Sequence, residues 1–232
     1  MSDEFELTVT PLKVSEIPSE DAILKAGRAI LESTSSWKEG KTYHHNVKTL
    51  SRGKGPKDGA NWHCRVSKHT KDDATFEEFW GKLGENKAEN EKEFIHVIKK
   101  VTLVKKLSET QSIWTLYYTF PPPVSPRVFT VLQTTLLEPD PHRTGLVISI
   151  PIDLSDDPEL AKLEEHGVKG RYTSVERLSE SEDGTVEWHM ATSSTPGGSI
   201  PTFVTERSMP GQIAQDVPHF LKWLKSTRQA QG

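Results

Sequence analysis

A chain of 232 residues with 34% hydrophobic side chains is long enough for one sizeable domain. Its apolar fraction is low for a globular core, which implies loops, solvated faces or an interior that side chains do not fill completely. The formal charge of -4 supplies no broad positive field, which argues against nucleic acid as a partner.

The single cysteine, Cys64, excludes an internal disulfide framework and suits a reducing compartment. The opening MSDEFELTVT lacks the basic start and apolar core of a secretory signal. No run approaches the roughly 18 apolar residues of a membrane span. A cytoplasmic location is the expectation.

Residues 1–18, with Pro11 and Pro18, read as an N-terminal arm laid on a single domain over 19–228. SEDAILKAGRAILEST predicts a helix capped by Ser19, with Ile23, Leu24, Ala26, Ile30 and Leu31 on one face. Two strand-like segments follow, KTYHHNVKTLS (41–51) and ANWHCRVSKHT (60–70), joined by the turn-forming RGKGPKDG. TFEEFWGKL (75–83) switches to helical period, Thr75 and Glu78 forming a capping box. GENKAENEKE is too charged for a core and is expected as an exposed helical turn.

Strands are then predicted over 94–107, 112–120, 127–138 and 144–154, where β-branched and aromatic residues dominate. The basic pairs Lys99, Lys100, Lys105 and Lys106 in the first of these read as a solvated strand edge. SDDPELAKLEEHG predicts a short helix with Asp157 as cap and Pro158 at its first position. Two last strands, 168–180 and 185–193, precede TPGGSIPTF (195–203). Gly197 and Gly198 permit a sharp turn there, Ser199 can cap, and Pro201 suits a first turn.

Ile213, Val217, Phe220, Leu221 and Leu224 recur at helical spacing, with Pro210-Gly211 and Pro218 expected to interrupt or kink the helix. This order predicts an α+β fold. One curved antiparallel sheet would grip the C-terminal helix, its only large apolar partner, with a cavity between them.

Strand alternation puts His63, Arg65, Ser67 and His69 on one face, and Trp62, Cys64 and Val66 on the other. Two readings stay open. Facing inward, Arg65 could bind a phosphate or carboxylate, or pair with an acid such as Glu187. Alternatively the whole polar face is solvent, with Trp62 and Val66 inward. His63, Cys64 and His69 do not make a metal site, because the thiol points away from the imidazoles. No Gly-x-Ser-x-Gly elbow and no Walker spacing occur, so no catalytic residue and no cofactor are assigned.

Candidate interior residues on the strands are Ile113, Tyr117, Val128, Leu132, Ile148, Ile150, Trp188 and Met190. Such stripes are most often plain core. On the last helix, Phe203, Ile213, Val217 and Phe220 would form an underside. The proline loop Pro121–Val124 could touch a membrane or simply be rigid.

Four segments, in order, carry a family resemblance: TFEEFWGKL, FPPPVSPRVF (120–129), TPGGSIPTF and DVPHFLKWL (216–224). The chain resembles the START (StAR-related lipid transfer) helix-grip fold, and DVPHFLKWL resembles the final helix of a fungal START-like family of uncharacterised function. The resemblance implies a cavity that encloses one lipid, of phospholipid or sterol class, in an intracellular carrier or sensor. It also implies that the strand and helix residues above, with Arg65, line the cavity. The gate would comprise the final helix, with Pro210 and Gly211, and the adjacent loop Pro121, Pro122, Pro123 and Val124. A monomer, transient contact with a membrane surface and no enzymatic activity are expected. The alternatives are a polyketide-cyclase-like enzyme, in which Arg65, His63 or Tyr117 would orient or protonate a substrate, and a non-catalytic adaptor with a filled core.

Overall fold

The computed structural model describes residues 5–138, 142–198, 200 and 202–231; the expected helix cap Ser199 and Pro201 lie outside these. In chain order the elements are β1 (Leu12–Lys13), α1 (Glu20–Ser33), β2 (Lys38–Tyr43), β3 (Val47–Arg52), β4 (Trp62–His69), α2 (Phe76–Leu83), α3 (Lys87–Phe94), β5 (Ile98–Lys106) and β6 (Gln111–Tyr118). They continue with β7 (Arg127–Glu138), β8 (Thr144–Asp153), α4 (Pro158–Ala161), β9 (Val168–Lys169), β10 (Arg171–Glu180), β11 (Val186–Thr195) and α5 (Thr202–Gln231).

Local chemistry fixes several boundaries. Ser19 Oγ accepts from the Ala22 N–H at the start of α1, and Thr75 and Glu78 satisfy each other's backbone N–H groups at the start of α2. Asp157 caps α4 ahead of Pro158. The segment 41–51, expected as one strand, is a hairpin. His44 and His45 take the left-handed conformation, at φ 48° and 69°, and turn the chain between β2 and β3.

The long strands form one sheet in the order β2-β3-β4-β11-β10-β8-β7-β6-β5, antiparallel throughout, while β1 and β9 add short parallel pairings to β8 and β7. The hairpins fix the register, and away from irregularities at Glu39–Thr42 in β2 and at Ile98–Lys100 and Leu103–Lys105 in β5, successive residues alternate between two faces. One face packs on α1, burying Ile23, Leu24 and Leu31 with Trp62, Cys64, Ile113, Leu132, Ile148, Ile150 and Val175. Gly27 lets the helix sit against the strands: a Cβ there would lie 2.3 Å from Ile148 Cδ1.

The opposite face packs on α2, α3 and α5, burying Phe79, Phe94, Val147, Leu178, Trp188, Val217, Phe220 and Leu224. The expectation that the C-terminal helix is the sheet's only large apolar partner is therefore corrected. A two-faced sheet of this length needs cover on both sides, and α1 supplies the second. α5 runs unbroken from Thr202 to Gln231 with Pro210 and Pro218 inside it, so the prolines do not interrupt the helix. An aromatic cluster grips its C-terminal part: Phe220 stacks on Phe79 at 5.2 Å and meets Trp188 edge-on at 5.3 Å.

Candidate functional site

The site is built on the α5 side of the sheet. β4 carries His63, Arg65, Ser67 and His69 there, all four buried, so the reading of this face as solvent-facing is corrected. Trp62, Cys64 and Val66 pack on the α1 side. Arg65 is 2% exposed, with its guanidinium carbon 3.9 Å from the centroid of the Trp188 ring. Its Nη2 stands 3.9 Å from Glu176 Oε2, beyond hydrogen-bond reach, and its Nε and Nη1 have no hydrogen-bond partner. The partner suggested from sequence, Glu187, lies on the other face, beside Arg177 and Lys68.

Glu176 on β10 is instead held by others. Lys87 Nζ on α3 lies 2.7 Å from its Oε1, and Trp188 Nε1 donates to its Oε2 at 2.9 Å. Lys87, 4% exposed, also pairs with Glu91 at 2.7 Å. The charged segment expected as an exposed helical turn is thus α3, and it delivers a buried ion pair to the interior. Burial opposes charge on Lys87, but the two carboxylates outweigh it and raise its pKa. Burial likewise opposes charge on Glu176, yet Lys87 and Arg65 hold it below the ordinary range. Glu91 goes the other way, raised by burial against the pull of Lys87.

Asp216 on α5 feels the charges of the same cluster. Burial, with Glu91 and Glu176, pushes its carboxyl up to about 7 against the attraction of Arg65. Tyr118 and Tyr172 are raised as well, burial being the largest cause for each. Glu91, Tyr118, Tyr172 and Asp216 are nevertheless each only half-buried. Each of the four thus keeps some accessible surface although surrounding protein desolvates it.

A row of aromatic rings runs from Tyr172 and Tyr118 to the start of the proline loop. Tyr118 meets Phe129 at 5.0 Å and Phe120 at 6.3 Å, and Phe129 meets Tyr172 at 5.6 Å. Phe120 begins the proline loop, in which Pro121, Pro122 and Pro123 are exposed and Val124 is half-buried. Arg127 braces this loop, donating from Nη1 to the Ser125 carbonyl and from Nε to the Pro196 carbonyl at 3.0 Å, ahead of α5.

At the same end a cleft of about 330 Å³ opens between Lys54, Gly59 to Asn61, Ser194 to Gly198 and the first turns of α5. Glu206 closes its floor, accepting from Asn61 Nδ2 at 2.8 Å and lying 2.8 Å from His63 Nε2. The chain reaches this point through Gly197 and Gly198, both at φ 65°, where side chains are strained. Among the described residues no group of three His, Cys, Asp or Glu side chains could hold a metal ion, and no helix is long and apolar enough to cross a membrane.

Residues 62–224 match the family described as "Protein of unknown function (DUF3074)". The chain belongs to that family. No curated protein matches it in sequence. Among solved structures it is similar to human STARD10, with a TM-score of 0.76 at 12% identity over 92% of this chain and 82% of that one. It is also similar to human StAR-related lipid transfer protein 5, with a TM-score of 0.74 at 14% identity over 90% and 96%. A STAR-related lipid transfer protein fragment from Xanthomonas axonopodis gives a TM-score of 0.56 at 20% identity over 82% and 97%. The fold of this chain is the START helix-grip fold, α+β, as the four motifs suggested.

The expected interior set divides between the two faces. Arg65, Trp188 and Met190 lie on the α5 side, and Ile213, Val217 and Phe220 are buried on α5 itself. Ile113, Leu132, Ile148 and Ile150 pack against α1, and alternation puts Tyr117 and Val128 on that same side. These six therefore lie on the α1 face of the sheet, opposite Arg65. Phe203, expected on the underside of α5, is 74% exposed, and its neighbour Val204 is also exposed. Pro210 and Gly211 are half-buried, Gly211 lying close to the Tyr43 ring on β2.

Sequence reasoning missed Lys87, Glu91, Glu176, Asp216, Tyr118 and Tyr172. A signal existed for Asp216, which sits three residues after Ile213 and four before Phe220, on the buried stripe of its helix.

Proposed function

We propose that this protein encloses one lipid-class ligand, phospholipid or sterol in type, between the curved sheet and α5, with the ligand's polar end at Arg65. One observation carries the reading. A buried guanidinium with two nitrogens unpartnered is costly to fold around unless something arrives to satisfy it. The half-buried aromatic row Phe120, Tyr118, Phe129 and Tyr172 supports an apolar path from the surface to that point. Burial of the ligand's apolar surface, at about 25 cal/mol per Å², would drive binding.

The gate is the N-terminal third of α5 with the loop Pro121–Val124. The aromatic cluster anchors the far end of the helix, whereas contacts to Glu206 tie the near end to β4. The exposed Phe203 and Val204 suit transient contact with a membrane surface during exchange. In this reading the protein is a monomeric cytoplasmic carrier or sensor over a single domain, and it performs no chemistry. The Ser67–His69 pair, 2.8 Å apart, is sealed from solvent, has no acid on His69 Nδ1, and is neutral because burial pulls His69 down to about 4.

Native mass spectrometry of the purified chain, followed by organic extraction, tests this. A discrete added mass of one lipid is the expected result. An apo mass that persists after incubation with mixed liposomes would overturn the proposal in favour of a filled-core adaptor.

A further inference from the structure

We propose that the enclosed ligand is a lipid hydroxylated along its body, read by a row of neutral hydrogen-bonding side chains that crosses the sheet on the face opposite α1. The inference rests on the ligand-binding reading above and names the chemistry of the ligand's body, where that reading named only its polar end.

The row follows from strand register. Gln133 on β7 pairs with Ser149 on β8, Ser149 with Ser174 on β10, Ser174 with Thr192 on β11, and Thr192 with His63 on β4. Alternation puts all five on one face, because their neighbours Leu132, Ile148, Val175, Ala191 and Cys64 pack on the α1 side. Five adjacent strands at their usual spacing carry the row across about 19 Å. Each of the five residues is between 1% and 8% exposed. A face buried only against protein calls for apolar residues at such places. Here every strand in turn contributes an amide, a hydroxyl or an imidazole.

Their hydrogen-bonding capacity is not used up. Gln133 Nε2, Ser149 Oγ and His63 Nδ1 have no partner among the described residues. The Tyr172 hydroxyl comes near Ser149 without reaching hydrogen-bond geometry. Thr192 Oγ1 donates to the Thr173 carbonyl and keeps lone pairs to accept with. His63 Nε2 lies 2.8 Å from Glu206 and donates to that carboxylate, which leaves Nδ1 of the neutral ring an acceptor.

Buried groups left unmet cost stability, so the row calls for a partner that both donates and accepts. Gln133 Nε2 only donates, His63 Nδ1 only accepts, and Ser149 does either. A hydroxyl answers all three. A carboxylate, phosphate ester or carbonyl offers nothing to His63 Nδ1, and a bare acyl chain leaves every one unmet. The flanks of the row suit a hydrocarbon body. Trp114 and Val131 lie on one side, and Val147 and Met190, in line with Arg65, lie on the other.

Native mass spectrometry with equimolar matched pairs tests this. The pairs are stearic acid against dihydroxystearic acid and cholestanol against cholestanetriol, which share a polar end and a skeleton and differ in body hydroxyls. In at least one pair the hydroxylated member should be bound about tenfold more than its partner, the effect of one or two hydrogen bonds. A preference in one pair alone names the skeleton. Ser149→Ala removes only an unpartnered hydroxyl, so it should melt no lower than wild type while the preference falls to about threefold. Adding Gln133→Met should abolish the preference, with the plain member still bound.

Equal binding within both pairs, or a preference that survives both substitutions, overturns this inference, makes the row a hydrated part of the core and leaves the lipid-binding reading standing. If none of the four lipids adds mass to the chain, that reading fails too.

Discussion

The two faces of the sheet are built to different rules. Under α1 the strands present Ile113, Leu132, Ile148, Ile150 and Val175 to a helix that comes close enough to require glycine at position 27. Under α5 the same strands present Arg65, Ser67, His69, Gln133, Ser149 and Glu176, and several polar atoms there have no partner. The first face is a close-packed core of the kind that stabilises a fold. The second carries buried charge, which costs stability to desolvate. The difference teaches that one face is built for packing and the other carries buried polar groups, and the proposed function places the ligand on the second.

Substitutions can break that contrast. Ile148→Ala should cost about 2–5 kcal/mol in chemical denaturation, while the folded fraction binds lipid normally, because the cavity it leaves is on the α1 side. Asp216→Asn should show the reverse behaviour as a function of pH. A carboxyl raised in the folded state from its ordinary 3.8 to about 7 leaves the fold most stable at low pH, and stability is lost as pH climbs through that window. The variant should therefore melt above wild type at pH 8, the gap closing towards pH 4.

Arg65→Met removes a charge that forms no hydrogen bond and leaves Glu176 paired to Lys87. Stability should hold or rise by about 1 kcal/mol, while affinity for the ligand falls. A large loss of stability would instead make Arg65 a structural residue. The smallest effect on folding belongs to Phe203→Ser, expected within about 0.5 kcal/mol of wild type, with slower lipid transfer between vesicles as its only consequence.

Much of the fold was legible because its signals are local. The span of β7, the capping box of α2 and the Asp157-Pro158 start of α4 are each written in a few adjacent residues. Which face of the sheet is which was not legible. Alternation says that Ile148 and Ile150 share a side, yet it cannot say whether that side meets α1 or α5; they pack under α1. The same limit left Arg65 open between cavity and solvent. Lys87 and Glu91 looked too polar to bury, since a lone residue does not reveal its partner. The pair from Lys87 to Glu176 depends on α3 and β10 meeting, a contact between residues 89 apart in sequence, whereas the pair with Glu91 lies within α3.

The central claim is that the ligand sits on the α5 face. Photolabelling with a diazirine-bearing fatty acid, followed by peptide mapping, tests it most directly. Label on Tyr118, Phe129, Tyr172, Met190 or the inner side of α5 is the outcome this account requires. Label confined to α1 or to the strand residues packed beneath it, such as Leu132 and Ile148, would contradict it.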